Sequence, residues 1–155
     1  MILKIYIFTL LLLGGITAKS QILLNADSSQ IKKQLLSQGG RLRVNAVEDG
    51  IAFPGYYHIL LFKFSESAFE KNGIVLMTFY LTLKNKCFDY RVSYVDDHYL
   101  GKLKETFNKP ESGLNQVDNR LEWIDPVKKY VIKIWPGIPV NGKNASNFDL
   151  EVKSN

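Results

Sequence analysis

The stretch from Ile74 to Val95, IVLMTFYLTLKNKCFDYRVSYV, decides the fold. Its first half is rich in β-branched and aromatic residues. Its second half alternates between apolar and polar side chains, as a strand with one buried face does. The polar segment Lys84-Asn85-Lys86 between the halves is short enough to close a β-hairpin. We therefore predict two antiparallel strands here and place them in the middle of a sheet.

Alternation in the second strand predicts which side chains share a face of the hairpin, because successive side chains of a strand point to opposite faces. It separates two groups of four: Phe88, Tyr90, Val92 and Tyr94 against Cys87, Asp89, Arg91 and Ser93. Asp89 and Arg91 are thus expected to lie side by side as a solvated charge pair, worth at most about 1 kcal/mol.

An amphipathic helix is predicted before the first strands. Asp27 and Gln30 have the spacing of a capping box, in which two side chains bond the free amides at a helix start. Ile31 and Leu35 share one apolar face, and Gly39 begins a glycine pair that ends the helix.

A second helix is predicted after the hairpin. Its apolar side chains recur at Leu100, Leu103 and Phe107, which is helical spacing. The preceding pair Asp96-Asp97 offers candidate N-caps.

Further strands are predicted on both sides of the hairpin: Arg41–Val47, Ile51–Phe53, Tyr57–Phe64, a short strand at Leu121 and Trp123, and Tyr130–Trp135. Short turns between neighbouring strands favour antiparallel pairing. The predicted fold class is therefore α+β, with a single-layer antiparallel sheet of about five to seven strands and two helices packed on one face.

The first 20 residues are typical of a secretory signal peptide. Lys4 is a basic start, Ile5–Leu13 is an apolar core, and Ala18 and Ser20 suit cleavage before Gln21. The alternative is a membrane anchor, but the apolar run is shorter than the roughly 20 residues that span a bilayer. We expect a secreted or periplasmic protein without a lipid anchor, because the single cysteine lies far from the leader.

Composition divides the rest of the chain into two parts. We predict a single α+β domain over residues 21–135, after the signal peptide at residues 1–20. Residues 136–155 begin with a segment rich in proline, glycine and asparagine, which predicts a loop-rich tail, with an edge strand at Phe148–Val152 as an option.

The charge of the chain argues against a nucleic-acid binder. The net charge of +5 falls to +3 without the leader, which carries Lys4 and Lys19 and no acidic residue. No run of five or more Lys or Arg is present. We expect no nucleic-acid partner and no transmembrane segment after signal cleavage.

Few residues suit catalysis or metal binding. His58 shares strand parity with Leu60 and Phe62 and is expected to be packed, while His98 follows two carboxylates at a helix start. Consecutive residues on a helix splay apart instead of converging on a metal. No nucleotide, metal or hydrolase motif occurs in the chain. We therefore predict no catalytic residue, no metal and no cofactor.

Cys87 is the only cysteine. We expect it to be a half-buried strand residue. The alternative is a reactive thiol that works with His58 or His98 in a small thiol-dependent or hydrolytic enzyme.

Aromatic residues support the leading functional hypothesis. Eight tyrosines and nine phenylalanines are many for this length, and Tyr and Trp favour recognition surfaces. The candidate interaction face comprises Tyr80, Asp89, Arg91, Tyr94 and Trp123. It would serve a non-enzymatic binding module with a protein partner in the cell envelope or the extracellular space. Two alternatives remain: the tyrosines only line a half-exposed sheet, or the tail folds onto a neighbour in an envelope assembly.

Overall fold

The computed structural model describes residues 23–50, 53–64, 74–94, 98–118, 120–136 and 148–154. Within these ranges the chain forms one antiparallel sheet of eight strands and two α-helices, so the α+β class is confirmed. The helices are α1 (Ser28–Ser37) and α2 (His98–Phe107). The strands are β1 (Gly40–Asp49), β2 (Tyr56–Phe64), β3 (Ile74–Leu81), β4 (Cys87–Tyr94), β5 (Asn115–Gln116), β6 (Glu122–Asp125), β7 (Tyr130–Pro136) and β8 (Phe148–Ser154). Eight strands exceed the five to seven that we expected, because β5 and β8 join the sheet.

The strand order is β1-β2-β3-β4-β8-β7-β6-β5. The expected edge strand near the C-terminus is therefore an interior strand, and that prediction was wrong. Leu150 of β8 pairs with Val92 of β4 on one side and with Ile134 of β7 on the other. Leu150 and Val152 are fully buried, so the last strand forms part of the core.

The central hairpin is confirmed as β3 and β4. Thr82 donates its amide to the Lys86 carbonyl at 2.8 Å, and Asn85 takes the left-handed conformation with φ of 62°. Register shifts at both ends of the pairing interrupt the alternation. As a result Ile74 packs in the main core, whereas Phe88 packs on the opposite face of the sheet.

Helix α1 begins with the predicted capping box. Asp27 Oδ1 accepts the Gln30 amide at 2.9 Å, and Gln30 Oε1 accepts the Asp27 amide at 3.0 Å. Ile31 and Leu35 are both buried in the core.

Helix α2 is held against the sheet by an aromatic contact and a hydrogen bond. The ring centroids of Phe107 and Trp123 are 5.0 Å apart. Trp123 Nε1 donates to Asn108 Oδ1 at 2.7 Å, directly after the helix. The indole is thereby buried without leaving its N–H unpaired.

Several predictions concern segments outside the described residues. These are the signal peptide at residues 1–20, residues 51–52 of the predicted strand Ile51–Phe53, and the N-cap candidates Asp96 and Asp97. Phe53 itself is described and is not part of a strand.

Side chains are buried on both faces of the sheet. The main core contains residues of both helices and of one sheet face: Ile31, Leu35, Leu103 and Phe107 with Leu60, Phe62, Phe79, Tyr90, Val92, Trp123, Ile132 and Leu150, among others. A smaller cluster lies on the opposite face: Tyr57, Ile59 and Tyr80, with Val44, Phe53 and Phe88 packed against them. The single-layer packing that we expected is corrected accordingly.

In the part of the chain that the structure describes, no helix has the length and apolar character needed to cross a membrane.

Candidate functional site

A row of alternating charges crosses four strands on the sheet face turned away from the helices. Strand register places Arg91 (β4) opposite Glu151 (β8), Glu151 opposite Lys133 (β7), and Lys133 opposite Glu122 (β6). Arg91 Nη2 lies 3.2 Å from Glu151 Oε1, and Lys133 Nζ lies 3.2 Å from Glu122 Oε2. Opposite charges at facing positions of neighbouring strands attract each other. We call these four residues the charge row.

Trp135 lies beside the charge row on the same face. Its Nε1 donates to Glu151 Oε2 at 3.2 Å, so the Glu151 carboxylate receives the indole N–H on one oxygen and Arg91 on the other. Lys133 Nζ lies 6.0 Å from the centre of the indole ring. Trp135 nevertheless remains 50% exposed. The side chain is therefore held in one orientation while half of it faces solvent.

An aromatic cluster adjoins the row at the other end. The Phe53 ring meets Tyr57, Tyr80 and Phe88 edge-on, at centroid distances of 5.6, 4.9 and 5.0 Å. The Arg91 guanidinium lies 5.6 Å from the centre of the Tyr80 ring, within range of a cation–π contact. Arg91 thus connects the charge row to the aromatic cluster, in which Tyr57 and Tyr80 are buried. We call the charge row and the aromatic cluster together the charged face.

Asp89 is the more deeply buried of two buried acids on this face, the other being Glu151. It pairs with Tyr80 on one side and Lys153 on the other, and only 1% of it is exposed. Neither carboxylate oxygen has a hydrogen-bond partner among the described residues. Burial raises the pKa of Asp89 to about 7, and the negative charge of Glu151 acts in the same direction, against Arg91 and Lys153. Asp89 therefore gains or loses its proton near neutral pH.

The expected solvated pair of Asp89 and Arg91 is not what the structure shows. Asp89 is buried, and Arg91 forms its ion pair with Glu151 of β8 instead. Strand β8 offers an acid directly opposite Arg91, a position that alternation within β4 does not reveal.

The five residues of the predicted interaction face divide between the two faces of the sheet. Tyr80, Asp89 and Arg91 lie together on the charged face. Tyr94 and Trp123 lie in the main core under the helices, and Trp123 is 0% exposed. Tyr94 lies in the core because its side chain points to the same sheet face as the buried Val92. Trp123 lies there because α2 and the following Asn108 hold its indole ring. Tyr80 and Asp89 are buried as well, at 8% and 1% exposed, so Arg91 is the one residue of the five with a substantially exposed side chain.

Sequence reasoning missed Lys133, Trp135 and Glu151. The alternation of YVIKIW, residues 130–135, does indicate that Lys133 and Trp135 share a sheet face, since Ile132 and Ile134 point to the opposite face. Glu151 was missed because its segment was expected to be a loop-rich tail or, as an option, an edge strand.

Cys87 and His58 do not form a catalytic pair. His58 pairs with Leu81, which pairs with Cys87, so a strand separates the two residues by about 10 Å. His58 Nε2 instead lies 2.6 Å from Asn45 Oδ1. Burial raises the pKa of the Cys87 thiol to about 12, and the neighbouring Asp89 charge adds to the rise. Cys87 therefore stays a thiol at neutral pH, whereas nucleophilic chemistry requires the thiolate. The His98 side chain lies outside the described part of the chain.

Comparison with known proteins assigns no family: no family model, no curated protein and no solved structure matches the chain. Among the described residues, no group of three or more His, Cys, Asp or Glu side chains is placed to hold a metal ion. Fold and surface together define an α+β protein with a charged and aromatic sheet face.

Proposed function

We propose that this chain is an exported, non-enzymatic binding module that recognises a protein partner through the charged face. The observation that carries the proposal is Trp135, half exposed yet held by Glu151. Tryptophan and arginine are the residue types most often found at binding hot spots. A side chain that is already held in place loses little conformational entropy on binding, so more of its contact energy appears as affinity.

The charge row favours a protein over a polyanion as the partner. Arg91 and Lys133 are each paired with an acid in the row, so the row has no net charge. Nucleic acids and anionic membranes are bound by surfaces with a clear excess of positive charge. A protein partner whose acidic and basic side chains alternate in the complementary order would bind in one position only. Any shifted position would bring like charges together.

The apolar leader supports export as the second part of the proposal. Expression of the full chain with a C-terminal tag, followed by mass measurement of the protein collected outside the cytoplasm, tests this part separately. We expect an N-terminus at Gln21. A tagged protein that stays in the cytoplasm with Met1 in place would contradict export and leave the binding proposal untouched.

Substitution of Trp135 tests the binding surface. We expect Trp135→Ala to weaken retention of the partner at least tenfold, which corresponds to about 1.4 kcal/mol. The matched control is Val127→Ala, since Val127 is also an exposed large side chain but lies in the turn between β6 and β7. Immobilised wild type and variants would be exposed to extract of the producing cell, and the retained proteins quantified by mass spectrometry.

A partner retained equally by wild type, Trp135→Ala and Arg91→Ala would overturn the surface assignment. Circular dichroism would verify that the variants fold. We expect them to fold because neither side chain belongs to the core clusters.

A further inference from the structure

Strand β1 is a long strand at the edge of the sheet. It has ten residues, whereas β5 at the opposite edge has two. Among the described residues, none from 41 to 48 makes a backbone hydrogen bond other than those of the ladder to β2. An edge strand of this kind presents unpaired N–H and C=O groups that another strand can bond.

The charges of β1 are arranged to favour a copy of itself. Arg41 and Arg43 lie near its start, and Glu48 and Asp49 form its end. A second β1 in antiparallel orientation brings the basic half of each strand against the acidic half of the other. A parallel second copy would bring like charges together, which is unfavourable.

A bulge limits the length of edge that can pair regularly. The register with β2 shifts between Leu42 and Val44, and such bulges are a common protection of sheet edges. The segment from Val44 to Asp49 is regular, however, and Val47 within it is 60% exposed. This six-residue segment is as long as a typical strand.

Face parity and charge together select one antiparallel register for the regular segment. Facing residues must point to the same side of the joined sheet, so the two-fold axis passes through a residue. We place it at Ala46, where the basic start of each strand meets the acidic end of the other and Val44 faces Glu48 within the regular segment. The facing pairs within the regular segment are then Ala46 with Ala46, Asn45 with Val47, and Val44 with Glu48. Arg43, the bulged residue, follows at each end and lies next to Asp49 of the other copy. Arg43 and Asp49 are both exposed, so each is free to reach the other across the junction.

We propose that β1 pairs antiparallel with β1 of a second copy of this chain, so that the two sheets become continuous across a two-fold axis at Ala46. Two ion pairs between Arg43 and Asp49 flank the junction. The axis is perpendicular to the sheet, so the charged faces of both copies point in the same direction. This pairing does not depend on the function proposed for that face.

Charge exchange at Arg43 and Asp49 tests the junction. Sedimentation equilibrium of the chain from Gln21 to Asn155 measures the dimer dissociation constant. We expect Arg43→Asp and Asp49→Arg each to weaken the dimer at least tenfold. The double variant, in which the charges are exchanged, should restore it. Lys84→Asp in the β3–β4 turn is the control for net charge and should leave the dissociation constant unchanged.

A cysteine introduced at the axis, in addition to the buried Cys87, provides a second measurement that does not depend on weakening the dimer. Ala46→Cys places a thiol opposite its own copy, where cross-strand Cβ atoms are about 5 Å apart and a disulfide can form. We expect mild oxidation to give a covalent dimer. Asn45→Cys, which faces Val47 in this register, should give far less. Two outcomes would overturn the proposal. One is a wild type that stays monomeric at 100 times the protein concentration used for the cross-linking. The other is equal cross-linking of the two cysteine variants.

Discussion

Asp89 is a carboxyl group enclosed by the charged face with no hydrogen-bond partner in the described part of the chain. Its pKa is raised from 3.8 to about 7 in the folded protein. Between these two values the folded chain holds a proton that the unfolded chain has lost. Stability therefore decreases as pH rises from about 4 to about 7, and this contribution is constant above that range.

Replacement of Asp89 by asparagine should remove this pH dependence. We expect Asp89→Asn to raise the free energy of unfolding at pH 8 by about 1–3 kcal/mol and to change it little at pH 4.5. The reason is that asparagine resembles the protonated acid and carries no charge to bury. Urea denaturation of wild type and variant at the two pH values measures the difference.

Asp149→Asn is the matched control, since Asp149 lies on the same face and is only partly buried. It should have a small effect at both pH values. An equal effect of Asp89→Asn at pH 4.5 and pH 8 would show that its proton is not linked to folding.

The side on which Asp89 lies was predictable, but its burial was not. Alternation within β4 reports only which side chains share a face. What covers that face is decided by Tyr80, Glu151 and Lys153 on neighbouring strands, and β8 comes from a distant part of the sequence.

At the scale of elements, α1 depends on its capping box. We expect Asp27→Ala to lower the free energy of unfolding by about 1 kcal/mol, because one amide at the helix start loses its acceptor. Ser29→Ala is the matched control, since Ser29 is exposed in the same turn. Thermal or urea denaturation measures both, and equal effects of the two substitutions would contradict a capping role.

Both helices and the central hairpin were predictable because their determinants are local. The capping box lies within four residues, and the turn at Lys84-Asn85-Lys86 joins adjacent strands. Strand β5 was missed because two exposed residues carry no periodic pattern. The bulges at Arg43 and Phe88 were also missed, since a bulge depends on the partner strand.

At the scale of the whole molecule, strand order could not be predicted. Strand β8 pairs with β4, whose residues lie about 60 positions earlier, and nothing within either segment specifies the other. The charged face depends on this order. Its Tyr80, Asp89 and Arg91 were found from the hairpin alone, whereas Lys133, Trp135 and Glu151 join them only through β8 and its neighbour β7.

Removal of β8 should abolish the fold. We expect a chain ending at Asn147 to show no cooperative unfolding transition, because β4 and β7 would lose their shared partner and the core would lose Leu150 and Val152. A chain ending at Ser154 is the control and should unfold like wild type. Circular dichroism measures the melting of both chains. Cooperative melting of the shorter chain would instead support the interpretation of this segment as a tail.

The position of β8 also has a consequence for the time course of folding. The strand that joins the two halves of the sheet follows all the other strands in the chain. The consecutive pairings of β1 to β4, including the β3–β4 hairpin, are available before β8 is synthesised, whereas pairings between distant segments form slowly. If the leader directs export as we propose, the chain would therefore reach the translocation channel before its sheet has closed.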